Sequence, residues 1–159
     1  MLFRSPIGPN PHGDCFDQWG NQFVTDGTGG TGNFVGMPGH GSPTQLYEKR
    51  VRPVPAIAIL DSQHFPEANR GNLLIANVIG FQGVTQYKFE KQGAGFFAKE
   101  VEPILYSSDG NFRPSDMEIG GDGALYVLDW QNPIIGHMQH NLRDPSRDHL
   151  HGRPSAVTR

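Results

Sequence analysis

The longest stretch of this 159-residue chain that is free of both glycine and proline is Ala56–Phe65, ten residues. Proline lacks a backbone donor and clashes with the preceding helical turn, and glycine is the next worst residue inside a helix. The spacing therefore allows no uninterrupted helix longer than about three turns. Helical bundles and doubly wound α/β folds need longer helices and are excluded. The 21 glycines and 13 prolines instead predict short strands joined by many turns. The most apolar run, Leu73–Phe81, holds nine residues around a polar Asn77; a membrane-spanning helix needs about twenty. With 13 basic and 16 acidic side chains the formal charge is −3, and no Lys/Arg run offers a nucleic-acid footprint. Charged residues make up 18%, too few for a disordered solvating chain. Met1–Pro6 lacks the apolar core of a secretory signal. Pro6–Pro11 reads as a loop with no opening strand, so the chain is expected to come from within a longer protein.

An internal repeat organises the strands. Gly20-Asn21-Gln22-Phe23-Val24-Thr25-Asp26 lines up with Gly71-Asn72-Leu73-Leu74-Ile75-Ala76-Asn77 and with Gly123-Ala124-Leu125-Tyr126-Val127-Leu128-Asp129. Each copy reads as a glycine turn feeding a short strand whose last Asp or Asn starts the next turn. Arg113–Ile119 is a further strand, joined to the third copy through the hairpin sequence Gly120-Gly121-Asp122-Gly123. Val84–Phe89 and Phe96–Leu105 read as outer strands, and Pro55–Leu60 as a short buried one. A four-stranded unit recurring about every 40 to 50 residues has the spacing of a β-propeller blade. The expected fold is all-β with little helix: a partial β-propeller of about three four-stranded blades. It forms one domain over 1–159, with units near 14–60, 61–110 and 111–153 and a tail at 154–159.

Several local patterns invite a chemical reading. Gly27-Thr28-Gly29-Gly30-Thr31-Gly32 fits G-x-G-x-x-G, but the following Asn33–Gly39 cannot open the helix that would hold a pyrophosphate, so dinucleotide binding is rejected. Cys15 is the lone cysteine, which excludes an internal disulfide and a C-x-x-C-H haem site; it reads as a small buried residue rather than a nucleophile. Four of the seven histidines fall between His137 and His151, close to Arg143, Asp144, Arg147 and Asp148. This loop reads either as a divalent-metal site or as a polar loop whose Arg–Asp neighbours pair among themselves. Asp26, Asn77 and Asp129 end equivalent strands, so a propeller brings them to one face. They serve there as turn caps or as a rim of oxygen ligands for Ca²⁺ or sugar hydroxyls. Asp109-Gly110-Asn111 lacks the spacing of a Ca²⁺-binding helix-loop.

Longer stretches resemble a known family. They are Ser5–Gly13, Phe23–Gly30, His64–Glu67, Asn77–Phe81, Asn111–Pro114, Asp129–His140, Leu142–Pro145, Arg147–His149 and His151–Arg153. The family is that of bacterial membrane-bound dehydrogenases, whose propeller is similar to sorbosone dehydrogenase and soluble quinoprotein glucose dehydrogenase and often precedes a haem-binding domain. The resemblance implies the C-terminal half of a propeller, with full-length relatives exported to the periplasm or membrane. It implies oxidation of a sugar or alcohol by the complete protein, with electrons passed to a quinone or haem, and pyrroloquinoline quinone and Ca²⁺ as cofactors. The roles that follow are His137 and His140 as catalytic groups, Arg143, Arg147 and Trp130 as cofactor-binding residues, and Asp129, Asp144 and His149 as metal ligands. The isolated chain is expected to be inactive and holds no haem site. The alternative is a non-catalytic propeller that binds glycans or protein partners, or a half-ring that self-associates through open sheet edges.

Overall fold

The computed structural model describes residues 10–36, 43–48, 52–135, 144–148, 150 and 153–158. These residues form eleven strands in three antiparallel sheets and contain no helix. The first sheet runs β1 (Pro11–Phe16), β2 (Gln22–Asp26), β3 (Thr31–Val35) and β4 (Thr44–Gln45), each beside its chain neighbour. The second repeats the plan with β5 (Ile57–Ile59), β6 (Leu73–Asn77), β7 (Gly83–Gln92) and β8 (Gly95–Tyr106). The third holds β9 (Pro114–Ile119), β10 (Leu125–Asp129) and β11 (Arg153–Val157). The fold is the expected partial β-propeller. Its first two blades are four-stranded and its third has three described strands.

The three repeat copies occupy the same place in each sheet, immediately before and along the second strand. Gly20, Gly71 and Gly123 have φ of 79°, 75° and 80°, the left-handed region that glycine enters without a Cβ penalty. A second repeat escapes a sequence search. Pro11 lies opposite Asp26, and Pro114 opposite Asp129. Extending the Ile57–Ile75 pairing by two residues brings Pro55 opposite Asn77. A proline at the start of a strand sacrifices no ladder donor. Two segments join sheets that the sequence units did not assign them to. Ile57–Ile59 is the innermost strand of the second sheet, and residues 153–157, expected to be mostly tail, pair along β10 from Asp129–Arg153 to Leu125–Val157. Pro154 is compatible with β11 because that strand is an edge, where one row of donors is unneeded.

Alternation decides how the sheets stack. Successive strand residues point to opposite faces. Leu73 and Ile75 of β6 pack with Phe23, Tyr47, Tyr87 and Ala98 in a core between the first and second sheets. Leu74 and Ala76, facing the other way, pack with Met117, Leu125 and Val127 between the second and third. Phe23 lies 4.8 Å from Phe89 and 5.7 Å from Phe34 and Phe96 between ring centroids, and Tyr47 lies 4.8 Å from Tyr87. Such aromatic pairs add about 0.5–1.5 kcal/mol each beyond their buried area.

The repeat glycines give a graded test. A Cβ at Gly20 meets nothing within 4 Å, so Gly20→Ala is expected to cost only the left-handed strain, about 1 kcal/mol. At Gly123 the same atom comes within 3.0 Å of His64 and of Ser62, whose Oγ donates to the Gly123 carbonyl. Gly123→Ala is therefore expected to cost more, about 2–3 kcal/mol. Denaturant unfolding checks both, and equal losses would contradict the geometry.

Candidate functional site

Because β1, β5 and β9 run antiparallel to β2, β6 and β10, each sheet has two distinct ends. At one end the second strands finish in Asp26, Asn77 and Asp129, all buried. Asp26 accepts from Asn10 N at 3.2 Å and from Gly29 N. Asp129 Oδ1 accepts from Arg113 N at 2.8 Å and from Gln131 N at 2.7 Å. Asn77 Nδ2 donates to Ile75 O at 2.8 Å and to Thr85 Oγ1 at 2.9 Å. In both aspartates the side chain closes its own turn and holds the residue before the strand-opening proline. The aspartate bonds are the turn-capping arrangement, whereas the Asn77 amide bonds strand residues of its own sheet.

Arg113 ties this end together, and the sequence alone gave it no role. Its guanidinium donates through Nε to Asn132 O at 2.9 Å, through Nη2 to Pro133 O at 3.4 Å, and through Nη1 to Val78 O. The last bond crosses from the third sheet to the second. Burial pulls its pKa below the ordinary arginine value, and Asp109 and Asp129 oppose that pull. Asn132 Oδ1 in turn accepts from Arg147 Nη1 at 3.3 Å, and Asp144 Oδ1 accepts from Ser146 N and Oγ at 2.9 and 2.6 Å. Those Ser146 bonds, with Arg147 adding, hold the Asp144 carboxyl below its ordinary value. The structure thus strings Asp129, Arg113, Asn132, Arg147 and Asp144 into one chain of contacts. Trp130 follows Asp129 directly and is half exposed. His137, His140, Arg143 and His149 lie outside the described residues. Among the described residues no group of three or more His, Cys, Asp or Glu could hold a metal ion.

The opposite end holds a cleft of about 360 Å³ where the innermost strands of all three sheets meet. Its floor is apolar, from Ile57, Ile59, Met117 and Ile119, and its rim carries Asp14, Asp17, Asp61 and Glu118. Among the described residues that line it, none is cationic. Asp17 is spent on its own turn, accepting from Trp19 N, Asn21 N and Asn21 Nδ2 at 2.7–2.9 Å. Asp14 accepts from Gln22 Nε2 at 3.0 Å. Asp14, Asp61 and Glu118 are exposed to solvent. Sequence reasoning missed this site because its acids sit far apart in the chain, each resembling an ordinary surface carboxylate.

Residues 48–156 match a domain of unknown function, DUF7133. The chain belongs to the DUF7133 family. No curated protein matches it. A solved structure named glucose dehydrogenase is similar at 25% identity and a TM-score of 0.50, over 77% of this chain and 38% of that one. A second, from Thermus thermophilus and titled an oxidoreductase (glucose dehydrogenase), reaches a TM-score of 0.53 at 21% identity, over 78% of this chain and 39% of that one. The DUF7133 chain therefore spans about two fifths of the length of the structures it matches, and its fold is dehydrogenase-like.

A quinone tricarboxylate is the cofactor that the family resemblance implies, and the axial cleft does not fit it. The described rim carries four carboxylates and no described cation, an arrangement that repels an anion. Cys15 in the same cleft is no nucleophile either. Burial, then Asp14 and Asp17, push its pKa up from 9.0 to about 12. At pH 8 its thiolate fraction is expected to be roughly a thousandfold below that of an unhindered thiol. Cys15 is half-buried rather than fully buried as expected, and iodoacetamide should label the folded chain far more slowly than the denatured one; comparable rates would refute that placement. Arg113→Met should leave the carbonyls of Val78, Asn132 and Pro133 without their donor at a cost of about 2–3 kcal/mol. Chemical denaturation measures that loss, with Arg113→Lys expected between the two.

Proposed function

We propose that this DUF7133 chain supplies three blades of a propeller that, when complete, oxidises a sugar or alcohol. The single observation that carries the reading is the match of its blades to a glucose dehydrogenase at 25% identity over 77% of the chain. The axial cleft supplies matching chemistry. Exposed carboxylates of Asp14, Asp61 and Glu118 accept hydrogen bonds from hydroxyl groups, while Ile57, Ile59 and Met117 suit the apolar C–H face of a sugar. Oxidising a hydroxyl to a carbonyl removes the hydroxyl proton and a hydride equivalent from the carbon. Asp61 or Glu118 can take the proton as general base. The two electrons need an acceptor, a quinone or a haem in the complete protein, and the described residues of this chain do not provide its site.

A second reading rests on the same cleft. Carboxylate acceptors above an apolar floor also suit a glycan that is bound without turnover.

The test uses the complete protein with a panel of aldoses and alcohols, a dye acceptor, pyrroloquinoline quinone and Ca²⁺. Dye reduction is expected, and Asp61→Asn or Glu118→Gln should lower kcat/KM by roughly 10²-fold for the residue that acts as base. Sugar binding that persists without dye reduction would support the second reading and end the first.

A further inference from the structure

A second pocket, of about 200 Å³, opens beside the axial cleft where the first two sheets meet. Trp19, Phe23, Phe89 and Phe96 give it aromatic walls, and Asp17 and Asp61 line both this pocket and the cleft. Three separate segments bring these groups together. The turn from β1 to β2 supplies Trp19. Asp17 Oδ1 accepts from Trp19 N at 2.9 Å and from Asn21 N at 2.8 Å, so the turn is closed from within and the indole is left 80% exposed. The hairpin from β7 to β8 supplies Phe89 and Phe96, half-buried, with ring centroids 5.8 Å apart. Phe23, 4.8 Å from Phe89, is buried. The connection from β5 to β6 supplies Asp61, which is exposed.

The scaffold does not demand a tryptophan at this place. The residue before the turn glycine is Trp19 in the first repeat copy, Arg70 in the second and Asp122 in the third. Among the described residues that line the pocket, none is cationic. Arg70, next to the lining Gly71, is engaged by its own loop, donating through Nε to Phe65 O and through Nη2 to Gln63 O, both at 2.8 Å. Lys91, opposite Phe96 in the hairpin, is exposed.

Charge and wall chemistry together select the ligand. The carboxylates repel an anion. A neutral apolar ligand gains from the rings by buried area alone. A methylated ammonium gains from the carboxylates through charge, from the ring faces through their quadrupole, and from the area of its methyl groups. It carries no N–H donor, so walls without acceptors cost it no hydrogen bond. The pocket is smaller than the roughly 300 Å³ at which drug-sized sites begin, which suits one such group of a small molecule. We propose that this pocket holds the methylated ammonium group of a small molecule, between Trp19, the Phe89–Phe96 pair and Asp61.

Isothermal titration calorimetry of the complete protein tests it, with choline, its neutral carbon isostere 3,3-dimethyl-1-butanol, and glucose as probes. No electron acceptor is present, so the outcome is separate from that of the oxidation chemistry. Choline should bind with a Kd of about 1 mM, and the isostere at least about tenfold more weakly. Trp19→Leu should weaken choline by about tenfold, with Trp19→Phe between it and the native protein. Asp61→Asn should weaken it severalfold and reduce its sensitivity to salt. Trp19 and Asp61 are exposed, so these changes leave the cores intact, and the comparison of choline with its isostere needs no variant. Equal binding of the isostere would overturn the proposal, as would choline binding that ignores both Trp19→Leu and Asp61→Asn. Binding of glucose without choline would reassign the pocket to a sugar, and no choline binding at about 50 mM would remove the site.

Discussion

Burial of β6 on both faces is the constraint on which the rest of the structure depends. A strand alternates its side chains with a period of two, so one packed neighbour can bury only every second residue. All five residues of Leu73–Asn77 are buried, with the first sheet packed on one face and the third on the other. In β10, with one neighbouring sheet described, the pattern reverts to strict alternation: Leu125, Val127 and Asp129 inside, Tyr126 and Leu128 outside. Full burial of each large aliphatic side chain stabilises by about 1.5–3 kcal/mol. The two cores meeting on the second sheet therefore fix the angular order of the blades. They also bring the ends of β1, β5 and β9 to a common axis, and without that convergence there is no cleft.

The sequence showed the blades because their signals are local. Glycine at positive φ, a short apolar strand and a closing Asx lie within seven residues of one another, so each copy is visible by itself. What stayed hidden is long-range. The strand-opening prolines Pro11, Pro55 and Pro114 share one structural position but are unevenly spaced. The connection from first to second strand is short around Asp17–Asn21 and long from Leu60 to Asn72. Arg113 bonds residues 19, 20 and 35 positions away, and nothing near it in the chain announces those partners. β11 reads as tail in the sequence because Pro154 discourages a central strand, and an edge strand tolerates it. The polar loop residues Asp129, Arg147 and Asp144 do gather at one end of the sheets, and they do so as a capped, hydrogen-bonded joint.

Arg113 shows why that joint uses arginine. Its guanidinium presents donors in a rigid planar fork, so one side chain meets three carbonyls on two different sheets, whereas a lysine ammonium is a single flexible point. A buried cation is costly to desolvate, and Asp109 and Asp129 offset part of that cost. The same Asp129 caps the turn after β10 and holds the backbone of Arg113. Cap, strand opening and inter-sheet bond therefore form one unit at this junction.

The two ends of the sheets consequently differ in their freedom to vary. At the Asx end, buried caps and the Arg113 fork tie turns to strands and sheet to sheet, so a change there disturbs packing. At the cleft end, the connections between first and second strands differ in length and carry Asp17 and the exposed Asp61 to the cleft, while Leu60, Ser62 and Phe65 of the longer one are buried. Loops of this kind can change length and charge while the scaffold beneath stays fixed. Buried caps and the Arg113 fork thus join the sheets at one end of the strands, and the cleft carboxylates stand at the other.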